Sequence, residues 1–223
     1  MEKLDAIPER IRADFEARNQ ARDEALRRSR ELIRLCATAI RASHRDDTAG
    51  IADGDTGNDW TDAQALLAQA DAVADDMRAT VADYPDLLYA GYTQDALKEL
   101  VEAHATIALT KGDPLPEPEA LTVSYPAYLN GLCEAASEMR RRCLDEMRRG
   151  DTDEAERLLG VMDGIYDVLM TFDFPDAITG GLRRRVDQLR GVLERTRGDL
   201  TNTLRQDRLI RALNDFESRV GGD

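Results

Sequence analysis

Apolar residues recur three or four positions apart along almost the whole chain, and only Leu121-Thr122-Val123 has any strand character. That period belongs to helices with one buried stripe, so the spacing predicts an all-α fold. Residues 5–45 carry Ile7, Ile11 and Phe15, then Leu26, Ile33, Cys36 and Ile40, which predicts one long helix. Residues 46–59 are rich in Gly and Asp and predict a mobile acidic loop. Helical spacing resumes over 60–83, with Trp60 as a packing anchor, and stops at Tyr84-Pro85 because the residue before proline avoids the helical region. A third helix is expected over 86–110, and the proline-rich GDPLPEPE at 112–119 reads as a connector. A fourth should run from near Ser124 to Gly150, and a fifth from a cap at Asp151 or Thr152 to about Phe172. After the break at Asp173-Phe174-Pro175, a final helix or helix pair extends from about Ile178 to Arg219. No internal repeat or domain boundary interrupts this, so residues 1–223 read as a single domain of six or seven helices.

A hydrophobic share of 42% supports a proper core. No apolar run reaches the roughly 18 residues of a membrane span, and the charged N-terminus is not a signal peptide. Three cysteines, Cys36, Cys133 and Cys143, cannot make a disulfide framework, which points to a reducing, cytoplasmic setting. The net charge is −14, with 3 Lys against 27 Arg and 28 Asp against 16 Glu, a balance typical of salt-loving organisms. Concentrated salt screens charges over about 3 Å at 1 M, so self-repulsion is cheap there. The distribution is uneven: residues 46–88 hold −10, while 10–45 and 178–211 each hold +5. Two Arg-rich helices in an acidic chain suit bidentate phosphate contact, although each can also be a solvated face with local ion pairs.

Two carboxylate pairs stand out. Glu99 and Glu102 are spaced i, i+3, and Glu134 and Glu138 are spaced i, i+4, so each pair shares one helix face. Each pair lies roughly opposite its own helix's apolar stripe, which allows ordinary solvent-facing acids. The alternative is that two helices face each other and pool four carboxylates. Such a cluster requires cations, and Mg²⁺ or Mn²⁺ prefers oxygen ligands. No GxxxxGK[ST], GxGxxG or CxxC pattern competes. His104 lies near an apolar stripe and reads as a core or capping residue, and the three cysteines read as core. Gly180-Gly181 before Arg183-Arg184-Arg185 is at most a weak anion-binding helix start.

The segment from Phe174 to Asp187, continuing through Glu194-Arg195-Thr196-Arg197 to Thr201, resembles the C-terminal signature of the translin/TRAX family. Arg27-Arg28-Ser29-Arg30-Glu31 is similar to that family's basic first helix, and Tyr128 to Arg140 to its central helix. The resemblance covers nearly the whole chain. It implies an all-helical fold of about seven helices, closed into a homo-oligomeric shell of hexamer to octamer size around single-stranded RNA or DNA. As an archaeal, salt-adapted member closer to the TRAX-type subunit, the chain is expected to be a Mg²⁺-dependent (or Mn²⁺-dependent) endoribonuclease. The resemblance assigns metal binding and catalysis to Glu99, Glu102, Glu134 and Glu138, with Glu134 standing where the nuclease subunit has Asp. Arg27, Arg28, Arg34, Arg183 and Arg184 are expected to hold the phosphate backbone. Three readings stay open: the nuclease, a non-catalytic single-strand binder, and a helical adaptor whose acidic loop meets a protein partner.

Overall fold

Proline, glycine and short polar residues decide where the helices stop. The computed structural model describes the backbone of residues 2–49 and 60–220, with the side chains of 6–44 and 60–219. It contains α1 (Glu2–Ala49), α2 (Thr61–Thr80), α3 (Pro85–Leu88), α4 (Gly91–Lys111), α5 (Tyr125–Arg149), α6 (Thr152–Leu169), α7 (Asp176–Thr179) and α8 (Leu182–Val220). Ser124 caps α5 by accepting from the Ala127 amide at 3.3 Å, and Asp151 caps α6 through the Glu154 amide at 3.0 Å. The fold is all-α, with no strand among the described residues.

Three local expectations change. The single helix expected over 86–110 is two, because Thr93 and Gln94 donate to the Leu87 and Leu88 carbonyls at 2.8 and 2.9 Å. Those side chains satisfy the open end of α3, and the chain turns before α4. Leu121-Thr122-Val123 is a turn with Thr122 at φ 53°, since an isolated extended segment finds no edge to pair with. Residues 46–49 continue α1 and are not loop; the remainder of that stretch, 50–59, lies outside the described residues. Of the two alternatives left open for the C-terminal segment, the structure has one unbroken helix, α8, with no proline along it.

Two helical layers share a seam. In one, α1, α2 and α4 bury Leu32, Cys36, Leu67, Met77, Leu97 and Leu100 among others. In the other, α5, α6 and α8 close over Met139, Cys143, Leu158, Met162 and Leu189. Helices α4 and α5 pack directly against each other between these cores. Their approach is so close that a Cβ on Gly131 would stand 2.6 Å from the Lys98 carbonyl oxygen and 2.7 Å from Val101 Cβ. Only glycine fits there. Beyond the layers, both long helices continue as arms. Ile7, Ile11 and Phe15 on α1, and Leu209, Ile210, Leu213 and Phe216 on α8, are exposed.

Overpacking of this kind costs typically about 1–3 kcal/mol. Gly131→Ala should therefore lower the urea midpoint of unfolding, and Gly131→Val should lower it further. The comparison Gly164→Ala, where a Cβ meets nothing within 4 Å, should leave it unchanged or raise it.

Candidate metal centre and nucleic-acid interface

The α4–α5 contact carries the acidic cluster. Glu99 and Glu102 stand one turn apart on α4, and Glu134 stands one turn beyond Gly131 on α5. Each of the three offers a carboxylate oxygen within 4.8 Å of the others. Glu138, a further turn along α5, is held differently. Its Oε1 meets Nε2 of buried His44 at 2.9 Å, which ties α1 to the edge of the cluster.

Two cations sit against these acids. Lys98, buried beneath the seam, donates to Glu99 at 2.8 Å and also to Glu134. Arg185, from the first turn of α8, donates through Nε to Glu134 Oε1 at 2.8 Å. The same guanidinium reaches Asn130 Oδ1 at 3.1 Å and the Gly180 carbonyl at 3.2 Å. Gly180 makes that reach possible. Its φ of 64° turns the chain from α7 toward α8 in a conformation that a Cβ disfavours.

Glu102 has no hydrogen-bond partner among the described residues, and its carboxyl is pushed up to about 8. Burial is the main cause, followed by the charges of Glu99, Glu134 and Glu138; Lys98 opposes them. Burial also works against the Glu134 carboxylate, yet Lys98 and Arg185 hold it below its ordinary range. For Lys98 the burial penalty is outweighed by its two glutamates, and the ammonium is shifted upward. The donors of Glu99, Glu102 and Glu134 are hard carboxylate oxygens, and Glu102, without a hydrogen-bond partner among the described residues, is the one that a bound divalent cation would ionise. The residues therefore fit Mg²⁺ or Mn²⁺.

The five arginines expected on phosphate separate into two groups. Arg27 is hydrogen-bonded to Glu24 at 2.8 Å, and Arg28 pairs with Glu24 at 3.0 Å and with Asp76 at 3.3 Å. These two fit the ion-paired face. Arg34, Arg183 and Arg184 are exposed and have no carboxylate partner among the described residues. His104 does not join the cluster; its Nε2 lies 2.8 Å from Asp71. Sequence reasoning missed Lys98, Arg185 and His44 as parts of the site. Lys98 did carry a signal. It is one of three lysines in a chain with 27 arginines, directly beside Glu99.

No protein-family model matches the chain. An uncharacterised protein of Methanocaldococcus jannaschii is 28% identical over 195 residues, covering 86% of this chain and 80% of that one. The solved structure of AfC3PO with duplex RNA is similar at a TM-score of 0.73 and 34% identity, covering 87% of this chain and 95% of that one. AfC3PO alone gives 0.73 at 32% identity with the same coverage. These C3PO proteins are of translin type. The chain belongs to the translin/TRAX family. Apo-NeC3PO, at 19% identity and a TM-score of 0.74 over 87% of this chain and 96% of that one, shares the fold. As a translin/TRAX chain, this protein has no helix among its described residues long and apolar enough to cross a membrane.

Glu102 makes stability depend on pH. Its folded pKa of about 8 lies above the ordinary 4.5, so between those values the native state holds a proton that the unfolded chain has released. Without divalent ions, this contribution to stability should be lost as pH rises from about 4.5 through about 8. If the cluster holds Mg²⁺, the ion competes with that proton, and the Mg²⁺-induced rise in melting temperature should grow over the same interval. Glu102→Gln should flatten both trends.

Proposed function

We propose that this translin/TRAX chain is a Mg²⁺- or Mn²⁺-dependent endoribonuclease acting on single strands inside a closed homo-oligomeric shell. The observation that carries the reading is the convergence of Glu99, Glu102 and Glu134 within 4.8 Å across the α4–α5 seam. In this reading the three glutamates hold the metal and His44 orients Glu138 beside them. A divalent ion held there supplies the Lewis acid that polarises a phosphodiester and lowers the pKa of an attacking water. Lys98 and Arg185 balance the glutamates and keep the carboxylate groups in place. Arg34, Arg183 and Arg184, free of carboxylates, hold the phosphate backbone without reading sequence. Support for a nucleic-acid ligand comes from the AfC3PO structure, which contains duplex RNA. The apolar rows on the α1 and α8 arms, exposed in one copy, are surfaces that neighbouring copies would cover in the shell.

One observation favours a second reading. Lys98 already bridges Glu99 and Glu134, as suits a binder that balances its acids without a metal. Single-strand cleavage separates the two. The nuclease reading predicts Mg²⁺-dependent cleavage of labelled single-stranded RNA, lost by at least about 100-fold in Glu102→Gln and Glu134→Gln, a range usual for metal-site groups. Glu138→Gln should show a large loss as well. Binding without cleavage by the wild type would favour the binder, and equal cleavage by wild type and all three variants would sink the assignment of catalysis to these glutamates.

A further inference from the structure

A cavity opens between the start of α5 and the break between α6 and α7, and none of the roles above uses it. It measures about 520 Å³ and is walled by Tyr125, Tyr128, Leu129, Phe172, Phe174 and Ile178. That volume lies in the range of small-ligand sites. Its rings are exposed yet fixed. Tyr125, 65% exposed, donates its hydroxyl to Glu119 at 2.9 Å, and the Tyr128 hydroxyl donates to the Pro116 carbonyl at 2.9 Å. Phe174 is 57% exposed on the break between α6 and α7. Thr179 at the base is locked by Asn130, which donates to its carbonyl at 2.7 Å.

Grooves with mixed charge flank this cavity on two sides. It shares Pro126 and Ile178 with a neighbouring groove that contains Asp95, Asn130 and the two cations bound to Glu134, Lys98 and Arg185. On its other flank it shares Phe172 and Phe174 with a groove that contains Arg183 and Arg190, along with Asp173 and Asp187. Arg190 donates to the Tyr166 hydroxyl at 2.9 Å, while Arg183 has no carboxylate partner among the described residues. An apolar, aromatic recess next to an arginine without a carboxylate partner suits a strand whose flat bases alternate with phosphates. Aromatic faces take any base, because every base has a π-face.

We propose that this cavity receives one unstacked nucleobase of the single strand, and so sets where the strand lies relative to the glutamates. The proposal rests on the single-strand reading above and deepens it. Tyr125 and Phe174 provide the stacking faces, while Arg183, in the groove that shares Phe172 and Phe174, approaches the flanking phosphate. The ring positions are preorganised by the Tyr125 and Tyr128 hydrogen bonds, so little ordering is needed on binding.

The test compares a labelled oligouridylate with an abasic strand of equal length, binding to the intact chain across a salt series. Wild type should prefer the strand with bases. Tyr125→Leu and Phe174→Ala should each weaken oligouridylate binding by roughly 5- to 100-fold, as base–aromatic stacking does, while abasic binding and the salt slope stay the same. Tyr125→Phe keeps the ring but loses the hydroxyl that fixes it, and should retain most of the affinity that Tyr125→Leu loses, which separates the stacking face from its positioning. Iodouracil in the strand should cross-link to residues 125–129 or 172–178. Unchanged oligouridylate affinity in properly folded Tyr125→Leu and Phe174→Ala would overturn the proposal. So would a change in assembly mass with affinity per subunit intact, since the cavity would then seat a second copy. If wild type binds neither strand, the single-strand reading itself fails.

Discussion

Everything at the seam depends on the side chain that Gly131 lacks. The α5 backbone lies against the Lys98 carbonyl and Val101 at a distance that no Cβ could occupy. This one contact joins the α1–α2–α4 layer to the α5–α6–α8 layer. It also brings Glu134 onto the pair formed by Glu99 and Glu102. A helix pair separated by an ordinary side chain would leave the carboxylates too far apart to share a cation. Packing and chemistry therefore come from the same residue.

The charge balance follows from that geometry. Like charges at this range cannot all ionise unassisted, and the chain distributes the conflict unequally. Glu134 receives hydrogen bonds from Lys98 and Arg185, Glu138 meets His44, and Glu102 has no hydrogen-bond partner among the described residues. The unpartnered acid is the one driven toward neutrality, and a divalent ion would restore its charge. Arg185 arrives only because the Gly180 turn sends α8 back across α5, so the C-terminal segment completes a site begun on α4. The chain's overall acidity says little about this. Lys98 and Arg185 are taken up by Glu99 and Glu134, while Arg183 and Arg184 have no carboxylate partner among the described residues.

Much of this was legible in the residues. The helical period and its breakers located most of the elements, and the i, i+3 and i, i+4 spacings singled out the four glutamates. The same spacing placed them opposite the apolar stripes, on what looked like the outside. That inference fails because α4 is buried on several sides: Ala96, Leu97, Leu100, Val101, Ala103 and Ala105 are all covered. A helix enclosed by two layers has no single outward face. The partners Lys98 and Arg185 were hidden for a different reason. Their contacts span 36 and 51 residues, and no periodicity reports contacts of that length. The helix break at 89–90 was equally invisible, since it depends on which carbonyls Thr93 and Gln94 reach.

The central claim is that the seam between α4 and α5 is built to hold a divalent cation. Anomalous scattering from a crystal grown with Mn²⁺ tests it most directly. The account predicts a peak bound by Glu102 together with Glu99 or Glu134, at the roughly 2.0–2.2 Å usual for small hard cations, with the Lys98 ammonium displaced from at least one glutamate. A crystal saturated with Mn²⁺ that shows no peak there, with Lys98 still bridging Glu99 and Glu134, would contradict it.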